Sequence, residues 1–214
     1  MQPSKVPNVQ TTYDSIAEEY AKRIYDELAH KPLDRELLAR FAAHVKKSGT
    51  VFDLGCGPGH VAAYLAHCGV QVIGIDLSTR MVEIARKLNP SIQFTPGDML
   101  RLQVEEGAWA GIAAMYSIIH FPPQELPVVF SEMYRVLHPG GRLLLGFHRG
   151  EEIIHLDEWW GIPVCLDAYF FAPNQIAQLL DAAGFNVQEI IEREPYPEVE
   201  YPSRRAYVFA QKTP

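Results

Sequence analysis

Residues 51 to 66 read VFDLGCGPGHVAAYLA, a short apolar run, a turn with glycines at alternate positions, and the start of a helix. A strand that enters such a turn and leaves as a helix exposes backbone N–H groups beside the positive end of a helix dipole. Without side chains at the glycines, a ligand can approach closely. The spacing Gly55-x-Gly57-x-Gly59 is not the G-x-G-x-x-G of a dinucleotide turn, and no Gly-Lys-Ser/Thr follows to cradle a nucleoside triphosphate. Asp53 sits just before the turn. About twenty residues on, the run VIGID ends in Asp76, where a carboxylate can accept both hydroxyls of a ribose. Pro96-Gly97-Asp98-Met99 then supplies a carboxylate acceptor for an exocyclic amine and a thioether to lie on a flat base, although Pro-Gly-Asp is also ordinary turn chemistry. Together these residues point to a nucleoside ligand.

The elements that must carry those residues follow from periodicity. Tyr13, Ile16, Ala17, Tyr20, Ile24 and Leu28 recur at three- and four-residue spacing, one apolar face of a helix. A second helix is expected from Asp34 as N-cap through Val45. From there strands are expected at 50–54, 71–75, 92–95, 110–115 and 142–148, alternating with helices at 59–67, 79–88 and 124–137, with Ser78 as a cap and Pro123 and Pro173 in first turns. Such alternation means a parallel sheet covered by helices on both faces, with ligands at the carboxyl ends of its strands. Residues 149–172 hold two Trp, a Tyr and two Phe with no clear period. A helix at 173–183 and strands at about 185–192 and 205–211 complete the chain.

Composition narrows the function. With 214 residues, 48% hydrophobic and 21% charged, the chain is expected to be one domain spanning 1–214, with an N-terminal helical cap at 12–47 and an inserted lid at 149–172. A formal net charge of −7 disfavours nucleic acid, which needs a basic face. Three cysteines without a C-x-x-C pair, and eight histidines without H-E-x-x-H or H-x-H, indicate neither a disulfide framework nor a metal site. No run is long enough for a membrane span and Met1 to Gln10 lacks a signal-peptide core, so a cytoplasmic location is expected.

The segments VFDLGCGPGH, VIGIDLSTRMVEIAR, FTPGDMLRL and YRVLHPGGRLLLGFH, in that order and spacing, resemble the class I S-adenosylmethionine-dependent methyltransferases, in the branch that holds many small-molecule enzymes. The resemblance covers roughly Tyr13 to His148. It implies an α/β, Rossmann-like three-layer sandwich with a mostly parallel seven-stranded sheet in the order 3-2-1-4-5-7-6 and an antiparallel strand 7. It also implies S-adenosylmethionine as cofactor, S-adenosylhomocysteine as product and a small-molecule acceptor. Position by position, the cofactor's methionine part would lie over Gly55, Cys56, Gly57 and Gly59, with Asp53 at that loop. Asp76 would take the ribose, Leu77 and Met81 would pack near the adenine, and Asp98 with Met99 would meet its edge and face. Tyr116 would close the site beneath the sulfonium. The Y-x-x-x-A-x-x-Y pattern is present as Tyr13, Ala17 and Tyr20, whose rings would cover the methionine end or simply pack in the core, and Arg23 would reach the methionine carboxylate.

The cofactor's methyl is already electrophilic, so the protein must mainly align a nucleophile and exclude water. An acceptor proton could go to His120 after strand four, the preferred candidate, or to His148 after strand five. Trp159, Trp160, Tyr169 and Phe170 could wall an acceptor pocket or cover sheet edge and core. Two other readings are a non-catalytic cofactor-binding protein with the same fold and, behind it, a nicotinamide-dependent oxidoreductase, which the misplaced third glycine disfavours.

Overall fold

The computed structural model describes residues 8–213; residues 1–7 of the polar start lie outside them. Two runs in the chain, VFDL and WAGIAAM, are buried at every position, as strands covered on both faces must be. They form β1 (Val51–Leu54) and β4 (Trp109–Met115), adjacent and parallel in the middle of the sheet, with Val51 opposite Gly111 and Asp53 opposite Ala113. β2 (Val72–Asp76) and β3 (Gln93–Pro96) extend the sheet on one side, and β5 (Leu137–His148) joins β4 on the other.

Between β5 and the last strands the chain makes a separate hairpin, β6 (Ile153–Trp159) and β7 (Ile162–Tyr169). The sheet is then completed by β8 (Phe185–Arg193) and β9 (Arg205–Lys212), giving the order β3-β2-β1-β4-β5-β9-β8 with β9 antiparallel to both neighbours. With the hairpin set aside, this is the expected 3-2-1-4-5-7-6 arrangement. The residues 149–172, in which no period was expected, are thus a β-hairpin. Its two-residue turn, Trp160-Gly161, has φ of +56° and +80°, the left-handed pair that a tight hairpin demands.

Among the described residues five α-helices flank the sheet and a sixth packs on one of them. One face is filled by α5 (Leu126–Val136) and α6 (Pro173–Ala182), whose Phe130, Met133, Ile176 and Leu180 pack on Phe52, Ile112, Leu145 and Val208. The other face takes α2 (Pro32–Val45), α3 (His60–His67) and α4 (Thr79–Leu88), with Phe41, Leu65 and Val82 over Val51, Ala113 and Leu144. Successive strand residues serve opposite clusters, as the pleat requires. α1 (Val9–Ile24) starts where Asn8 accepts the Thr11 N–H at 3.0 Å, and Ala17 and Ala21 lay it against Met81 and Ile84 of α4.

Two local expectations change. Asp34 is not a cap: α2 begins at Pro32, whose fixed φ suits a first position, and Asp34 lies in its first turn with a buried carboxylate. Pro123 precedes α5, and Pro127 occupies its first turn instead. Ser78 caps α4 as expected, its Oγ accepting the Met81 N–H at 3.0 Å.

Candidate functional site

The glycine turn is held from below. Gly55 and Cys56 both donate to the Ile75 carbonyl, at 2.8 and 3.1 Å, which ties the end of β1 to β2. Gly55 has φ of +72°, and a Cβ there would stand 2.3 Å from the Cβ of Ser117. Only glycine fits between the turn and the end of β4. Gly57, at φ +51°, donates its N–H to Asp76 Oδ2 at 2.7 Å, and the Ser78 N–H goes to Oδ1 at 2.8 Å. Each Asp76 oxygen therefore keeps a lone pair for another donor. Asp53 Oδ2 accepts the Ala62 N–H at 3.0 Å, clamping α3 onto β1. Burial pushes the Asp53 carboxyl up to about 7, against the opposing pull of His60 and the Ala62 N–H. Burial likewise raises Asp76 to about 6, although the Ser78 and Gly57 N–H groups favour its charge.

These groups open onto one cavity of roughly 1060 Å³, its mouth included. Its floor is the glycine turn, with Asp53, Gly55, Cys56 and Gly57. One wall comes from the ends of β2 and β3, as Asp76, Leu77, Asp98 and Met99; another from the segment after β4, as Tyr116, Ser117, His120 and Phe121; α1 closes it with Tyr13 and Tyr20. Asp98 also accepts the Leu100 N–H at 2.9 Å, the local turn bond its sequence suggested. Tyr116 adopts φ of +58°, a rare conformation for a non-glycine residue that commonly marks a functional site. Its hydroxyl donates to Asp34 Oδ1 at 3.1 Å and shares a hydrogen bond with the Tyr207 hydroxyl at 2.9 Å. Two buried atoms around this cavity, Ser117 Oγ and His60 Nδ1, have no partner. A polar ligand would satisfy them.

His120 is wedged between α1 and the hairpin. Its Nε2 lies 2.8 Å from the Tyr13 hydroxyl and its Nδ1 3.2 Å from the Asp167 carbonyl on β7. Burial holds this imidazole down at about 4. His148 has a different setting. Its Nδ1 lies 2.7 Å from Ser203 Oγ, its ring stacks on Phe170, and burial with the nearby cations Arg205 and Lys31 brings it down to about 3. His148 is not on the cavity wall.

Several expected site residues also lie off that wall. Met81 has no exposed surface and packs between α1 and α4. The missing side chain of Gly59 makes room for the Phe94 ring, 2.7 Å from where a Cβ would be. Arg23 is paired with Glu19 at 2.6 Å and stacks over Trp160 at 5.1 Å, which satisfies it outside the cavity. Trp159 and Trp160 back the two tyrosines, with Trp159 edge-on to Tyr13 and Tyr20 at 6.1 and 5.7 Å. Tyr169 packs against the α5/α6-side core, and Phe170 against His148 and Tyr201.

Sequence reasoning missed a buried polar group beside the cavity. Glu27 and Asp34 line it. Glu27 binds Lys31 at 2.7 Å and His60 at 3.2 Å, and despite burial these partners hold it at about 2. Asp34 pairs with Arg193 Nη2 at 2.9 Å, and Arg193 also grips Glu200, which contacts Lys31 at 3.3 Å and Arg205 at 3.4 Å. These residues come from two distant stretches, 27–34 and 193–205, with His60 between them, and share no motif, so only the buried charge of Asp34 within an apolar helix face could have signalled them.

Residues 51–141 match the methyltransferase domain family. The chain is 36% identical over 95 residues to a demethylmenaquinone methyltransferase of Beutenbergia cavernae, covering 44% of this chain and 39% of that protein. It is 27% identical over 153 residues to a malonyl-acyl-carrier-protein O-methyltransferase of Erwinia billingiae, covering 68% and 58%. The chain thus spans about half the length of these curated relatives. Its fold matches the crystal structure of magnesium protoporphyrin IX methyltransferase from Synechocystis with bound S-adenosylmethionine, with a TM-score of 0.72 at 20% identity over 96% of this chain and 95% of that one.

Proposed function

The chain belongs to the class I S-adenosylmethionine-dependent methyltransferases, and from that premise we propose that it transfers the methyl group of S-adenosylmethionine to a small-molecule acceptor. The observation that carries this reading is the convergence of Asp76, with free lone pairs at a strand end, and the glycine turn on one cavity that also holds two unpartnered buried polar atoms. The site fits the cofactor. Bound there, S-adenosylmethionine supplies a methyl group already activated by the sulfonium.

The protein's own groups divide the remaining work. Asp76 receives the ribose hydroxyls, Leu77 and Met99 flank the adenine, and Asp98 accepts from its amine. The turn Gly55–Gly57 admits the methionine part at close range, where Ser117 Oγ and His60 Nδ1 gain partners. Tyr116, pinned by Asp34 and Tyr207, gives the methyl-bearing region a rigid wall. Tyr13 and Tyr20, backed by Trp159 and Trp160, keep water from the acceptor side.

Calorimetric titration with S-adenosylmethionine, S-adenosylhomocysteine and NAD tests this reading. The two sulfur nucleosides are expected to bind and NAD is not. Absence of binding by both would leave a fold that has lost the cofactor, and the reading would fall.

A further inference from the structure

Resting on the methyl-transfer reading, we propose that the acceptor is a neutral hydroxyl compound and that Tyr13 and His120 together take the proton it loses.

The geometry settles which imidazole nitrogen is free. The Asp167 carbonyl can only accept, so the hydrogen lies on His120 Nδ1, and Nε2 presents its lone pair to the Tyr13 hydroxyl. Tyr13 lines the cavity, so a hydroxyl bound there can donate to Tyr13 Oη while Tyr13 donates to Nε2. Of the other bases on the wall, Glu27 is engaged by Lys31 and His60, Asp34 by Arg193 and Tyr116, and Asp53 by the Ala62 N–H, while the unpartnered His60 Nδ1 and Asp98 are taken in the methyl-transfer reading by the cofactor's methionine part and adenine amine. Asp76 holds the glycine turn with one lone pair and, in the methyl-transfer reading, the ribose with those that remain.

Charge and wall chemistry select the acceptor class. No Arg or Lys lines the cavity among the described residues, so an acceptor carboxylate would find no cation. Glu27 and Asp34 are paired with cations, Asp53 is held by the Ala62 N–H, and Asp76 and Asp98 are taken by the cofactor, so an ammonium group would find no free anion. A neutral amine attacks with a lone pair it already has, and needs no base. A hydroxyl does need one, because its oxygen becomes strongly nucleophilic only as its proton leaves.

The step balances in atoms, electrons and charge. The acceptor oxygen bonds to the methyl carbon, and the carbon–sulfur pair returns to sulfur. The acceptor proton passes to Tyr13 Oη as the Tyr13 proton passes to His120 Nε2. The positive charge lost by the sulfonium reappears on the imidazole, so the buried cavity holds the same net charge before and after. Burial leaves the free imidazole unprotonated at neutral pH but also opposes its protonation, a cost that the simultaneous loss of the sulfonium charge offsets.

The test measures initial rates from S-adenosylmethionine to phenol, 4-nitrophenol, aniline and benzoate, in the wild type, His120→Gln and Tyr13→Phe, with cofactor affinity of each by calorimetry. The phenols are expected to be methylated in preference to aniline and benzoate. Each variant is expected to lose about 100-fold on phenol but only a small factor on 4-nitrophenol, which ionises near neutral pH without help, while cofactor affinity holds. An equal loss on both phenols would make the pair structural and overturn the proposal. So would preference for aniline or benzoate, or no transfer to either phenol by a protein that binds the cofactor. Failure to bind the cofactor would instead overturn the methyl-transfer reading beneath it.

Discussion

Gly55 and Gly57 share a turn and a left-handed backbone, yet their surroundings differ. A Cβ on Gly55 meets Ser117 at 2.3 Å, whereas one on Gly57 meets only the Tyr20 ring at 3.7 Å. Gly57→Ala is therefore expected to cost about 1–2 kcal/mol from backbone strain alone. Gly55→Ala is expected to cost about 2–5 kcal/mol, because β4 must also move; urea unfolding of both variants measures the difference. Asp76 has the opposite character, a residue retained at the expense of stability. Its folded pKa of about 6 lies above the unfolded value, so between pH ~4 and ~6 the native state holds a proton that the unfolded state has released. Raising the pH through that window weakens the fold by up to about 1.4 kcal/mol per unit. Asp76→Asn removes that slope. Its stability relative to wild type is expected to rise from pH 4 to 6 and then level, while affinity for S-adenosylhomocysteine falls at least about tenfold for loss of a charged hydrogen-bond acceptor. Denaturation at several pH values with parallel calorimetry checks both. A difference in stability that does not vary with pH would mean Asp76 is ionised throughout the window.

At the scale of elements, the first turn of α2 and the segment leaving β8 are joined through Arg193, whose side chain is 8% exposed between Asp34 and Glu200. Removing one member of a buried set strands the others, so Arg193→Met is expected to destabilise by about 3–5 kcal/mol. Arg80→Ala, which opens exposed pairs with Glu18 and Glu83 on the surface, is expected to leave stability nearly unchanged, and thermal unfolding separates the two. The difference between these cases also explains what was legible in the sequence. The α/β alternation, the sheet order and the cap Ser78 rest on local periodicity and on a family resemblance carried by contiguous segments, and the strand-end residues Asp53, Asp76, Asp98 and Tyr116 were found with them. Arg193, Asp34 and Glu200 meet only through tertiary folding, and no spacing rule brings them together. The hairpin escaped for a more local reason: its turn carries Trp160 where Asn or Asp commonly takes the left-handed position. β6 also alternates between exposed and only half-buried residues, and β7 buries only Val164 and Leu166 among half-buried neighbours, so the two-residue period is faint. Arg23 and Met81 matched the family's order, but their contacts with Glu19, Trp160 and the α1–α4 seam depend on side-chain directions that linear order does not contain.

For the molecule as a whole, the cavity divides the structure into a frame and a cover. Beneath it lies the seven-stranded sheet, in which β4 is buried along its whole length and β5 continuously over Leu143–Phe147. Above it lie α1 and the hairpin, joined by the Thr12 hydroxyl donating to the Cys165 carbonyl at 3.2 Å and by Tyr13 and Tyr20 against Trp159 and Trp160. Among the described residues the hairpin strands pair only with each other, outside the main sheet. Opening this cover breaks few backbone ladders, whereas opening the frame would unzip the sheet, so a ligand is expected to enter and leave past α1 and the hairpin. S-adenosylhomocysteine at about 100 times its Kd should stabilise the whole fold by about 2.7 kcal/mol and raise Tm by about 5–10 °C. Hydrogen exchange resolves where that stabilisation acts. Amides of Val9–Ile24 and Ile153–Tyr169 are expected to slow by at least about tenfold on binding, the protection that one RT ln 10 of local closure confers, and those of β4 to change only with global stability. A raised Tm with unchanged exchange in both cover elements would place the entry elsewhere, because a cavity closed by α1 and the hairpin cannot fill and empty without disturbing them.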